Sequence, residues 1–456
     1  MSDAEDRGYE NPNVLPYHTP GWRSFLKREA FFRHKYHSLV PTHPCVDIMH
    51  GDLECRYTHP MVEGHSVSFL NYPWLRGNRE STPAHYRVLT TDLQENDVVA
   101  GALDKADEQL RLAIEAMPKD AFVMLNSACV PDVTGENLEQ IRKPWEGKEH
   151  VFYHESDGKD KSPPFVTQMI KMAGIKKSAA SGLHSKNRGR KKRKGVVNLL
   201  GIPPGKVEGE LVSLLKSAGV RVASIMVPKL TPKRLRDSQS ADVHILMPNR
   251  LYDGLFREVL AAVELPLVRP TSPYGMEGTV RWMVAVAESA GVSGWESAID
   301  HVQETWEKRW QRLTQEARGR RLGFVVDPAE LPILSDPAMN ANCPLVPVLK
   351  EMGFGLDFLV YDPRGLFADD QGRHKVHTFS TREEMNDKIA SLPCGAFYTD
   401  SFFDTRLTRQ GKGQFSLEFF EAGMEGAVRT LERLLGVCRM PFYGRYAKYL
   451  GPGSSS

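Results

Sequence analysis

The sequence predicts an α/β protein with mostly parallel sheets, and three features predict it. Apolar runs of strand length alternate with amphipathic segments of helix length along most of the chain, as βαβ units require. The apolar runs end in turn-forming residues, at His50-Gly51 and in the Gly-Ile-Pro-Pro-Gly turn after Leu200. A length of 456 residues is also too great for one hydrophobic core and implies two or three domains.

In chain order, residues 1–40 carry aromatic and basic side chains without a clear period (GWRSFLKREAFFRHKYHSL) and read as an arm that packs on a partner or on the body. Residues 41–170 form a first α/β unit. Its stretch ENDVVAGALDKADEQLRLAIEAM is helical in pattern, with Val98, Leu103, Leu110 and Leu112 expected on one broad face. Residues 171–195 hold ten Lys or Arg and no acid. Such a run cannot form a core and reads as a solvated loop or linker. A nucleic-acid patch is the alternative, but no recognition motif or interleaved aromatic accompanies it.

Residues 196–320 make a second unit. VVNLLGIPPG is a strand and turn, VEGELVSLLKSAGV an amphipathic helix stopped at Gly219, and RVASIMV the next strand. The glycine-containing turn has neither GxGxxG nor GxxxxGK[ST], which excludes the common dinucleotide and P-loop sites. SGWESAIDHVQETWEKRWQRLTQEARGRR (293–321) is a long charged helix expected to bridge domains. A third unit, 321–450, runs from RLGFVVDPAELPIL through LVPVLKEMGFGLDFLVYDP and CGAFYTDSF to the helix FFEAGMEGAVRTLERLLGVC. The tail 451–456 is small and polar, and is expected to be disordered.

Composition is that of a soluble globular chain, with 41% hydrophobic and 25% charged residues. A net charge of +2 gives no global bias toward nucleic acid or membrane. The start MSDAEDRGYENPN has no apolar core and reads as no signal peptide. No apolar run approaches the roughly 20 residues needed to span a bilayer. Six scattered cysteines fit a reducing compartment better than a disulfide scaffold, so the expected location is cytoplasmic.

Three of those cysteines carry the chemistry. Cys45 and Cys55 lie in HPCVDIMHGDLEC, and Cys129 in FVMLNSACVPDVTGEN, where a buried apolar strand breaks into turn-forming residues. That puts Cys129 at the carboxyl end of a strand, where open α/β sheets bind ligands. Thiolates at loop tips suit an iron–sulfur cluster, for which cysteine is the preferred soft ligand. The alternative is three ordinary buried thiols, since no CxxC pattern is present. Cys343, Cys394 and Cys438 lie in apolar or helical surroundings and read as core thiols. His43, His50, His59 and His65 flank the first cysteines, from where a ring can donate hydrogen bonds to cluster sulfides. His50 is expected mainly as a turn residue.

HGDLEC (50–55), TTDLQENDVVAGA (90–102), NSACVPDVTGENL (126–138) and SPPFV (162–166) occur in an order and spacing that resembles nitrogenase component 1 and its relatives. The resemblance continues through GVVNLLGIPPGKVEGELVSLLKSAGVRV and PLVRPTSPYGMEGTVRWMVAVAE to about residue 440. It implies three Rossmann-like α/β domains and an iron–sulfur cluster (P-cluster-like or 4Fe–4S) shared with a homologous subunit. By motif, Cys55 and Cys129 would be ligands, with Cys45 as the third. Cys45 stands only ten residues before Cys55, a shorter interval than the family's, so an oxygen ligand such as Asp47 or Asp52 is the alternative.

In the catalytic subunit of such enzymes a cysteine early in the second domain holds the large cofactor. Here no cysteine occurs between Cys129 and Cys343. The resemblance therefore implies a β- or K-type subunit, in an α2β2 heterotetramer with an α- or D-type partner, fed by an ATP-dependent iron–sulfur reductase and inactive alone. Among the relatives, the K subunit of a methylthio-alkane reductase, which cleaves C–S bonds, is the expected type. A chlorophyllide or protochlorophyllide reductase subunit, a scaffold for iron–sulfur cofactor assembly, and a metal-free structural subunit remain alternatives. No nucleic acid or membrane partner is expected.

Overall fold

The computed structural model of the chain describes residues 45–54, 86–116, 122–145, 151–154, 164–175, 194–202, 206–227, 230–249, 252–340, 342–367, 375–399 and 404–439. The expected arm 1–40, most of the basic segment 171–195, the tail, Cys55, His43, His59 and His65 lie outside the described residues.

Among the described residues the strands form three sheets, and every strand pair in them is parallel. The predicted α/β class with parallel sheets is the observed one. In the first sheet β1 (Cys45–His50), β2 (Tyr86–Thr90), β3 (Phe122–Ser127) and β4 (Val151–His154) stand in the order β2-β1-β3-β4. Between β2 and β3 the chain is helical, but in two pieces: α1 (Glu95–Ala100) and α2 (Leu103–Ala116). Gly101, at φ +82°, ends the first, its N–H donating to Asp97 O.

The structure corrects the expected face. Ala106, Leu110 and Ala113 are the buried positions of α2, while Leu112 is 51% exposed. Gly101 cuts Val98 off from α2, and within α2 Leu110 and Leu112, two positions apart, stand about 200° apart around the helix, so Leu112 faces away from the sheet. The buried trio packs on Val46, Ile48, Val123 and Leu125 of the sheet.

After β3 come α3 (Cys129–Thr134) and α4 (Glu139–Arg142), and after β4 comes α5 (Pro164–Met172). The second sheet takes β5 (Val196–Leu200), β6 (Arg221–Met226), β7 (Val243–Leu246) and β8 (Leu267–Val268) in the order β6-β5-β7-β8. β5 and β7 are buried throughout, as central strands of a sheet covered on both faces are. Its helices are α6 (Lys206–Ser217), α7 (Pro232–Ser238), α8 (Asp253–Ala262) and α9 (Gly275–Ser289). α7 begins with Thr231 accepting the Arg234 N–H and with Pro232 in its first turn, the usual start signals.

The long charged helix is α10 (Glu296–Ala317). Ile299, Trp310, Leu313 and Ala317 are its buried stripe, flanked by half-buried Val302 and Trp306, and its opposite face is charged or polar. It leads into the third sheet, where β9 (Arg321–Val326), β10 (Gly355–Tyr361), β11 (Lys375–Phe379), β12 (Ala396–Tyr398) and β13 (Gly413–Phe415) run in the order β11-β10-β9-β12-β13. The helices here are α11 (Glu330–Ile333), α12 (Leu345–Glu351), α13 (Arg382–Ser391), α14 (Thr405–Arg409) and α15 (Met424–Arg439). α15 lies along α10, with Arg309 Nη2 2.6 Å from Glu432 Oε1 and Arg439 Nε 2.6 Å from Glu316 Oε1.

One continuous apolar core joins the second and third sheets, running from Val197 and Leu199 through Trp282 and Leu349 to Phe358 and Leu435. Within the third sheet, Phe324 stacks on Phe358 at 5.0 Å and meets Phe415 edge-on at 5.6 Å. No described helix is long and apolar enough to cross a membrane.

Candidate functional site

In the first sheet the strand order reverses between β1 and β3, since β2 follows β1 on one side and β3 on the other. The carboxyl ends of those two strands flank the crevice in which open parallel sheets hold ligands. His50 pairs with Ser127 there, and Ala128 N–H donates to His50 O at 2.9 Å. The chain leaves β1 at Gly51, and it leaves β3 at Ala128 to start α3 on Cys129.

Cys129 is an exposed, unpaired thiol at this edge. α3 is short because Gly135, at φ +79°, ends it: the N–H groups of Gly135 and Glu136 both donate to Pro131 O at 3.0 Å. That turn brings Glu136 back toward β1. His50 is fully buried, with Nε2 3.1 Å from Glu136 Oε2 and Nδ1 3.0 Å from Thr91 Oγ1. A carboxylate only accepts, so Nε2–H donates to Glu136; the Thr91 hydroxyl, which also donates to Gly51 O at 3.3 Å, shares the second hydrogen bond with Nδ1. Glu136 Oε2 also accepts Ala102 N–H at 3.2 Å.

The end of β2 closes the network. Thr91 Oγ1 accepts Gly51 N–H at 3.1 Å, while Thr90 Oγ1 donates to Gly51 O and Asp52 O at 3.0 and 3.1 Å. Leu93 N–H donates to Gly51 O at 3.0 Å. Asp92, between them, holds φ +50°, a conformation that Asp tolerates better than most residues. Gln94 then opens α1, its N–H donating to Asp97 Oδ2 at 2.7 Å. A hydrogen bond from Lys105, together with that backbone N–H, lowers the Asp97 carboxyl below its ordinary range. Three strand ends are thus tied into one rigid edge around the His-Gly turn.

The same register separates Cys45 from this edge. Cys45 begins β1 level with Phe122, whereas His50 ends it level with Ser127. At about 3.3 Å per residue, five steps place Cys45 about 16 Å back along the sheet. The structure therefore does not bring Cys45 and Cys129 together. Asp52 follows the His-Gly turn at the Cys129 edge, while the backbone of Asp47 lies mid-strand, opposite Met124. Glu54 is the last described residue before Cys55, on the same exit from β1. His50, with both ring nitrogens engaged by protein oxygens, has no N–H left for a sulfide.

Thr90, Thr91 and Glu136 are the supporting residues that sequence reasoning did not single out. Their signal was the polar Thr-Thr pair directly after an apolar strand, and an acid one residue past a helix-stopping glycine. Among the described residues no group of three His, Cys, Asp or Glu side chains is arranged to hold a metal ion. Burial pushes the Cys394 thiol up to about 12 and the Cys438 thiol up to about 11, and raises Cys343 well above the thiol range. Cys343 and Cys394 are buried as expected of core thiols, and Cys438 is half-buried.

For an iron–sulfur cluster this edge fits in one part and not in another. It presents one exposed thiol, Cys129, beside the turn that leads to Cys55; it does not include Cys45.

Comparison with known proteins gives a family and a fold. The family model for nitrogenase component 1 type oxidoreductases matches residues 40–339. Two solved structures described as nitrogenase Cp1, at pH 5 and pH 6.5, superpose with TM-scores of 0.59 and 0.58. Each is 16% identical over 91% of this chain, covering 88% and 89% of the other.

Proposed function

Because the chain belongs to the nitrogenase component 1 type oxidoreductases, we propose that it is the β- or K-type subunit of a nitrogenase-like reductase complex. In this reading it shares an iron–sulfur cluster with a homologous α- or D-type subunit through Cys129 and Cys55. The observation that carries it is the exposed Cys129 thiol at the strand-order reversal of the first sheet, beside the braced His-Gly turn. When bound, the cluster supplies one-electron transfer between an ATP-dependent reductase and the partner's active site.

The residues of this chain do the holding. Glu136 and His50 set the position of the loop that follows α3, and Thr90 and Thr91 set the turn toward Cys55. Leu53, Val99 and Val133 are exposed apolar side chains on the elements bordering this edge, the last two 90% and 86% exposed. Such exposure suits burial against a partner subunit. The lack of any cysteine between Cys129 and Cys343 supports a cluster-bearing rather than a substrate-reducing subunit. For the complex as a whole we assign reductive C–S bond cleavage as the reaction.

Anaerobic co-purification with the partner, followed by iron and sulfide analysis and EPR, tests the reading. Cys129→Ala and Cys55→Ala should each lose iron and the cluster signal, while Cys45→Ala should keep both. Normal iron in the first two variants would remove the site. Iron-loaded complex that turns over no methylthio-alkane, even when reductase and ATP are supplied, would favour the cofactor-assembly scaffold instead.

A further inference from the structure

A seven-residue motif occurs twice in this chain, Gly275-Met-Glu-Gly-Thr-Val-Arg281 and Gly423-Met-Glu-Gly-Ala-Val-Arg429, differing only at Thr279 and Ala427. Each copy opens the helix that follows the second strand outward from its sheet's first strand: α9 after β8, and α15 after β13. The orders β6-β5-β7-β8 and β10-β9-β12-β13 are the same path, with β11 added at the edge of the second. Both motifs start on a glycine in the left-handed region, at φ +75° and +95°. Both carry an Arg-to-Glu pair one helical turn apart, Arg281 with Glu277 and Arg429 with Glu425. The second and third units are therefore two versions of one module.

The two helix starts are capped from across the seam. Glu351, at the end of α12 in the third unit, accepts Glu277 N–H at 2.8 Å, and Met276 N–H as well. Glu210, on α6 in the second unit, accepts Glu425 N–H at 2.7 Å and Gly426 N–H at 3.1 Å. α6 and α12 are equivalent too, each the last helix between the first two strands of its sheet. A Cβ on Gly275 would stand 1.9 Å from Glu351 Oε2, and one on Gly423 2.4 Å from Glu210. So the glycines are required twice over, by φ and by the carboxylate lodged against them.

We propose that this exchange is a paired latch: each unit inserts one glutamate into the first turn of the other's motif helix, and together the two hold the seam between the units closed. Other contacts cross the same seam, among them Asn342 Nδ2 donating to Gly201 O at 3.0 Å, Gly423 N–H donating to Pro273 O at 2.8 Å, and Arg429 Nη2 3.7 Å from Glu210 Oε2. Cys343, next to Asn342, is buried in the joint core and lies near Tyr274 of the second unit. Cys394, equally buried, belongs to a separate cluster on the other face of the third sheet, with Phe397 and Ile389. These two thiols report seam opening and disruption of the third unit separately.

The test is alkylation of the full chain, read by mass spectrometry at each cysteine, with exposed Cys129 as the internal reference. In Glu210→Ala and Glu351→Ala, Cys343 should react about tenfold faster, as expected when buried N–H groups lose their acceptor, and faster still in the double variant. Cys394 should keep its wild-type rate. Glu210→Gln and Glu351→Gln, which retain one acceptor oxygen, should fall between, and they carry the test if the alanine variants fail to fold. Equal acceleration at Cys343 and Cys394 would mean general destabilisation and would overturn the latch, as would no change at Cys343.

Discussion

At His50 both ring nitrogens end on protein oxygens, so the value of this residue lies in what it holds. Removing its acceptor is the direct probe. Glu136→Ala would strand a buried ring N–H and the Ala102 N–H, each costing about 1–3 kcal/mol when left without a partner. A fall in the urea midpoint is the expected result. Glu136→Gln keeps an acceptor oxygen and should fall less. Equal midpoints for wild type and Glu136→Ala would show that the network does not brace the edge.

Glu210 and Glu351 give a prediction of opposite chemical sign to the usual carboxylate. Burial is the largest influence on each and raises both above the ordinary 4.5, against the pull of the backbone N–H groups they accept. Arg429 also lowers Glu210 while Glu425 raises it; beside Glu351, Glu277 raises and Arg281 lowers. A raised carboxyl keeps its proton better in the folded chain than in the unfolded one. Its contribution to stability is therefore complete below the ordinary value and declines as pH rises through the folded one. Between mildly acidic and neutral pH, unfolding free energy should fall with a steeper slope in wild type than in the Glu210→Gln, Glu351→Gln double variant. Parallel pH curves would refute this.

Among the elements, β9 shows how a strand is chosen by its neighbour. A Cβ on Gly323 would stand 2.1 Å from the Phe397 ring, which is fully buried on β12. Gly323→Ala should cost about 1–3 kcal/mol through overpacking. Phe397→Leu in the same chain should return part of that loss, because the two sites share one volume. Additive losses in a double-mutant cycle would contradict the packing argument. The break between α1 and α2 has a related cause. The apolar content of residues 95–117 was legible, yet Leu112 is exposed because it stands about 200° around α2 from buried Leu110, while Gly101 separates Val98 from that helix through a φ that a hydropathy pattern does not register.

Across the whole molecule, one path of four parallel strands recurs in the three sheets, with an added edge strand in the third. In the first, its point of reversal carries Cys129; in the other two, modules face each other and exchange glutamates. The α/β class, the parallel strands, the placing of Cys129 at a strand's carboxyl end and the long helix before the third sheet were all determined by the sequence alone. They come from local causes: strand-length apolar runs, glycine and proline stops, and side-chain period. Only the tertiary structure decided that Cys45 lies about 16 Å from the Cys129 edge, because register is a property of two strands and not of one. Likewise, Glu136 meeting His50 and Glu351 capping α9 join residues 86 and 74 positions apart. No local pattern encodes such meetings; chain packing brings them about, and burial makes each of them matter.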